Sequence, residues 1–238
     1  MSTFQLGRLP GRVPVGLREL DFYAAGPLPK APATVAVPPV PDWQMLGNDR
    51  YGDCGVAGLQ HLLMADAAAT HTAEAFPTEQ QVIDYYLAYS GGQDGGVVLS
   101  DFLAHVRQRG YYGHTVGGYA PVNIHQLPTL QWAVWAYDAA YCGIAVTEQM
   151  QQDFQARQPW TLESLDSPVL GGHCVPIVGY DSAYLYAVTW GKVQPIAYSA
   201  WHYLAEEAWA VITGELEHGD GRGLSLAALK ADLDRIRG

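Results

Sequence analysis

Hydrophobic and polar positions change rhythm twice along this chain. Residues 1 to about 45 show neither a helical nor an alternating period. They carry spaced apolar residues, Phe4, Leu6, Leu9, Val13, Leu17, Leu20, Phe22 and Tyr23, among eight of the chain's fifteen prolines, which fall between Pro10 and Pro41. Such a segment can neither form a helix nor join a central strand. It is expected to be an arm that becomes ordered only by lying on a surface, its own body or a neighbour's. From Cys54 to His71 the period is helical, with Val56, Leu59, Leu63 and Ala67 on one stripe. In FPTEQQVIDYYLAYSGG, Thr78 and Gln81 make a capping box and Gly91 a stop. GGQDGG reads as a flexible loop. It lacks the GK[ST] ending of a phosphate loop, so nucleotide binding is not expected. Ser100 is expected to cap the helix DFLAHVRQRG, and a further helix starting near Pro128 covers TLQWAVWAYDAAY.

After that helix the runs shorten. CGIAVT, HCVPIVGY, YLYAVTW and AWAVIT are rich in Val, Ile, Tyr and Trp and sit between turn residues, the pattern of strands. Helices first and strands later predict a segregated α+β fold rather than alternating βαβ units. The expected organisation is an arm at 1–45, a body at 46–215 and a tail at 216–238. In the tail, Leu226, Leu229, Leu233 and Ile236 form a short amphipathic stripe that packs on the body or docks on a partner.

Composition narrows the function. The chain has 238 residues, 49% of them hydrophobic, which is enough for one sizeable core. Its formal net charge of -11 argues against a nucleic-acid-binding face. No signal peptide and no membrane span are read from the sequence, so a cytoplasmic or virion-associated protein is expected. Three cysteines, Cys54, Cys142 and Cys174, form no CxxC pair, so no disulfide framework is expected. His173 and Cys174 are adjacent and would point to opposite faces of a strand, which disfavours a shared metal. No metal or cofactor is expected.

The candidate chemistry lies at GNDRYGDCGVAG, where a polar turn becomes a helix at Cys54. A helix N-terminus favours the thiolate, and a thiolate nucleophile needs a histidine partner. His61 shares the helix but lies two turns along, roughly 10 Å away. His71, His105, His114, His125, His202 and His218 have no distinguishing neighbours. His173 follows Gly171-Gly172 and opens a strand, so it can project rigidly into a cleft.

The stretch His173–Tyr180, HCVPIVGY, resembles the histidine strand of papain-like cysteine peptidases. YLYAVTWG, ending at Gly191, resembles their strand that ends in N-S-W-G, and Asn48 stands six residues before Cys54, where that family has a glutamine. The resemblance spans about residues 46 to 212. It implies a papain-like fold, a helical half carrying the cysteine followed by an antiparallel sheet or barrel half carrying the histidine. It implies Cys54 as nucleophile, His173 as its partner, and Asn48 with the Cys54 backbone N–H as oxyanion donors. The family's histidine-orienting asparagine aligns with Val188, and Thr189 could take that role only if the strand register differs. The GNDxxGDC and GGHxVPxxGYD patterns also resemble uncharacterised papain-like proteins of bacteria and their phages. Two functions follow: a cysteine peptidase or related thiol hydrolase acting on a peptide or protein substrate, or a catalytically impaired scaffold such as a phage virion component. The arm is expected either to cross the Cys54 cleft as an inhibitory propeptide or to run away from it as a tether to a protein partner or second copy, the tether being favoured because the arm lacks a long helical pattern.

Overall fold

The computed structural model describes residues 4–214 and 224–236. Of the proposed tail at 216–238, residues 216–223, with His218, and the last two residues lie outside them. Three helices come first: α1 (Cys54–Thr70), α2 (Glu79–Tyr89) and α3 (Leu99–Arg109). α1 ends at His71 in the left-handed conformation, with the His71 N–H on the Ala67 carbonyl. α2 has the expected capping box, with Thr78 and Gln81 bonded reciprocally. Ser100 does not cap α3. The N-cap is Val98, and the Ser100 hydroxyl is buried within the first turn. α4 (Leu127–Ala136) stops earlier than its apolar run suggests, because Asp138 turns the chain at positive φ and the following residues pair as a strand.

Six strands form one antiparallel sheet in the order β1-β6-β2-β3-β4-β5. They are β1 (Val116–Pro121), β2 (Ala140–Thr147), β3 (Val169–Tyr180), β4 (Tyr184–Thr189), β5 (Lys192–Ala197) and β6 (Ala205–Thr213). β4 and β5 are joined through Trp190 (φ 43°) and Gly191 (φ 72°), the two positive φ values of a tight hairpin whose twist suits the strands. Two short helices were not legible in advance: α5 (Glu148–Gln155) after β2 and α6 (Tyr198–Leu204) before β6. The α+β expectation holds, with β1 as an early strand between α3 and α4.

The core sits between α1 and the sheet. α1 is buried from Cys54 to Ala67, so its apolar character goes all round rather than along one stripe. The tail helix α7 (Leu226–Ile236) packs on the body through buried Leu229 and Leu233.

The arm is part of this core. Leu17, Leu20 and Tyr23 are buried, and the Tyr23 hydroxyl donates to Asp232 of α7. Val35 exchanges both backbone hydrogen bonds with Tyr180 at the end of β3. A chain cut at Pro41 would therefore lose core contacts and not merely a leash. Among the described residues, no helix is long and apolar enough to cross a membrane.

Candidate active site

α1 begins at Cys54 because the preceding turn turns its backbone inward. The Asp53 carbonyl accepts from the N–H groups of Val56 and Ala57, which starts the helix, but the Asp53 side chain caps nothing. That carboxyl is buried instead and accepts from Asn48 Nδ2 at 3.2 Å. Burial pushes its pKa up to about 8, against the Asn48 hydrogen bond, which lowers it. So Asn48, the expected oxyanion donor, spends one amide hydrogen on Asp53.

Between pH 3.8 and 8 the folded chain holds an Asp53 proton that the unfolded chain lacks, so Asp53 costs stability as pH rises through that window. Asp53→Asn cannot ionise. Its urea midpoint should gain on that of the parent as pH rises from 4 to 8, and parallel midpoints would show an ordinary carboxylate.

His173 lies in β3, fully buried. Its Nε2 shares a 2.8 Å hydrogen bond with Thr189 Oγ1, and its ring stacks on Trp190 at 4.7 Å and 24°. Val188, one residue earlier, is buried opposite Val193. The group against the imidazole is therefore Thr189, the last residue of β4, just before the hairpin. His173 Nδ1 has no hydrogen-bond partner among the described residues, and no hydrogen bond joins it to Cys54. Burial pushes the imidazole pKa down to about 3, helped by His61 and the charge of Arg8. His61 itself shares a hydrogen bond with the Gln44 carbonyl.

Cys54 is also buried, 1% exposed. Its desolvation raises the thiol to about 12, while the neighbouring backbone of Cys174 and Gly7 pulls the other way. Burial thus pushes both the thiol and the imidazole toward their neutral forms, against the helix N-terminus, which favours the thiolate.

The arm runs beside Cys54. Gly7 and Arg8 pass it as an extra strand between two walls. On one wall the Val97 N–H donates to the Gly7 carbonyl at 2.7 Å, and the Leu9 N–H to the Val97 carbonyl at 2.8 Å. On the other, the Arg8 N–H donates to the Gly172 carbonyl at 3.0 Å. Phe4 stacks on Trp190 at 4.5 Å and meets Phe154 edge-on at 5.4 Å. The Gln151 amide holds Phe4 from both sides, accepting its N–H at 3.2 Å and donating to its carbonyl at 3.0 Å. The GGQDGG loop shapes the first wall. Tyr86 donates to Asp94 at 2.7 Å, Asp94 accepts from Gly52 N–H at 2.9 Å, and Gly96 (φ 77°) lies so close to Gly7 that a Cβ there would overlap the Gly7 carbonyl. The favoured tether, running away from the cleft, is not what residues 4–9 do. Gly7, Arg8 and Gln151 were not singled out in the sequence, and the GGQDGG loop was read only as flexible. Their roles depend on pairing between distant segments.

A helical half with a cysteine at its leading helix, facing an antiparallel sheet with a histidine opposite, is the papain-like fold, and this chain has it. Its structure is similar to that of xylellain, a cysteine protease from Xylella fastidiosa, with a TM-score of 0.65 and 14% identity over 87% of this chain and 95% of that one. It is also similar to digestive procathepsin L 3 of Tenebrio molitor larval midgut, with a TM-score of 0.56 and 16% identity over 88% of this chain and 75% of that one. No protein-family model matches the sequence, and no curated protein sequence does.

Proposed function

We propose that this chain is a cysteine peptidase whose thiol is held latent by residues 4–9 of its own arm. The observation that carries the reading is the arm's path: an extended peptide, residues 7–9, is paired on one side with Val97 and on the other with Gly172 of the histidine strand. A groove that binds one extended peptide by its main chain suits another. The fold shared with two structures of the cysteine protease class supports the same reading.

In this reading Cys54 is the nucleophile. Thr189 engages Nε2, so Nδ1 is the imidazole nitrogen left to take the thiol proton and later return it to the leaving amine. The thiolate attacks the peptide carbonyl carbon, the C–N bond breaks, and water then hydrolyses the thioester. The second Asn48 amide hydrogen and the Cys54 N–H would receive the oxyanion.

A second reading, a silent scaffold, draws on the same filled cleft. The two separate on whether the cover moves. The full chain is incubated with a thiol-directed peptidase probe, alone and as Arg8→Ala, and the adduct located by mass spectrometry. A peptidase gives an adduct on Cys54, faster in the variant and absent from Cys142 and Cys174. Equal labelling of the three thiols, or none in either chain, favours the scaffold.

A further inference from the structure

Arg8 has no part in the chemistry above, yet its surroundings are built around it. Its side chain is 5% exposed and runs flat across the cleft face of the sheet. It passes over two glycines. A Cβ at Gly143 would come within 2.5 Å of Arg8 Cδ, and one at Gly172 within 2.8 Å of Nε. At the far end Glu207 accepts from Nη1 at 2.7 Å, and Glu206 pairs with Nη2. Glu207 is itself only 10% exposed, and Trp209 Nε1 donates to its other oxygen at 2.8 Å. Strand register sets this up: Gly143 of β2 stands opposite Glu207 on one side and Cys174 on the other, and Gly172 stands opposite Ala145. Arg8 Nε is buried with no partner among the described residues.

The result is a slot with a bare backbone floor and a carboxylate end. A long planar cation fits it. A branched apolar side chain would leave Glu207 desolvated and unpaired. The slot opens one residue from Gly7, which lies beside Cys54.

We infer that this slot is a side-chain subsite selecting arginine, one that Arg8 fills while the arm is in place and that an arginine of an incoming peptide fills once the arm leaves. This rests on the reading of the cleft as peptide-binding. It assigns Glu207 as the residue that sets specificity, with Gly143 and Gly172 as the space it needs.

The test is binding, so it does not require turnover. Full-length Arg8→Ala vacates the slot. It is titrated with N-acetylarginine amide and with N-acetylcitrulline amide, which has nearly the same shape and no charge. The arginine probe should bind Arg8→Ala at least about tenfold tighter than the citrulline probe, since a charge-assisted fork is lost in the latter. That preference should fall in Arg8→Ala/Glu207→Gln and vanish when Glu206→Gln, which removes the other carboxylate on Arg8, is added. Equal affinities, or a preference undiminished by Glu207→Gln, would overturn the assignment and leave Arg8 as a fastening for the arm alone. Should Arg8→Ala not fold, the parent chain answers the same question: excess arginine probe should compete with Arg8 and speed alkylation of Cys54, and the citrulline probe should not. No acceleration by either would count against the slot. Absence of hydrolysis with selective arginine binding would sink the peptidase reading and keep this one. Hydrolysis without arginine preference would do the reverse.

Discussion

Replacing Gly7 by alanine should unfasten the arm and expose the Cys54 thiol. A Cβ at Gly7 would overlap the Gly52 carbonyl and lie against the Gly52 Cα, which are backbone atoms. They cannot give way readily, because the Gly52 N–H is tied to Asp94, which Tyr86 holds in turn. Overpacking of this kind costs about 1–3 kcal/mol. It falls on the closed arm alone, since an arm lifted off the cleft has no Gly52 beside it. Each ~1.4 kcal/mol raises the open population tenfold, so iodoacetamide should alkylate Cys54 about 5- to 150-fold faster in Gly7→Ala than in the parent. Cys142, fully buried in the sheet, serves as an internal control and should not change. The same logic predicts slow alkylation of the parent, where Cys54 is neutral and covered. An unchanged Cys54 rate in Gly7→Ala would mean that something other than residues 4–9 keeps the thiol shut.

Why the sequence carried some of this and not the rest has a physical reason in each case. α1 and the Thr78 box were legible because helix period and capping are set by residues three or four apart. The strand of His173 was legible from its β-branched run, but His173 does not open it: β3 starts at Val169 and includes Gly171-Gly172. β1 and β5 were missed because VGGYAP and KVQPIA carry glycine and proline. Both turn out to be the edges of the sheet, where an unpaired backbone side tolerates them. The arm's path was not legible for a different reason. Its prolines correctly excluded helix and central strand, but its destination depends on a bridge from Arg8 to Val97 on one side and Gly172 on the other. Nothing within a short window specifies such a pairing. Glu207 is the extreme case, an acidic residue in a strand whose partner stands 199 positions away.

Thr189 shows how a one-residue choice of register decides a site, and it sets the last expectation. Alternation along β4 puts neighbours on opposite faces, so Thr189 meets His173 and Val188 enters the core against Val193. Val188→Asn, the change that would restore the family's asparagine by alignment, should therefore not improve the site. It would bury an amide among apolar groups at a cost of about 1–3 kcal/mol. Thr189→Val is the informative change. It is nearly isosteric and removes only the hydroxyl that engages Nε2. In a Gly7→Ala background, kcat for peptide hydrolysis should fall by about 10²-fold or more, the scale of a positioned acid–base group, with KM little changed. Thr189→Ser, which keeps the hydroxyl, should recover most of it. A merely structural role for Thr189 would instead move the thermal midpoint and leave kcat alone. In that case the imidazole would be held by its stack on Trp190, and the hydrogen bond at 2.8 Å would be a packing contact.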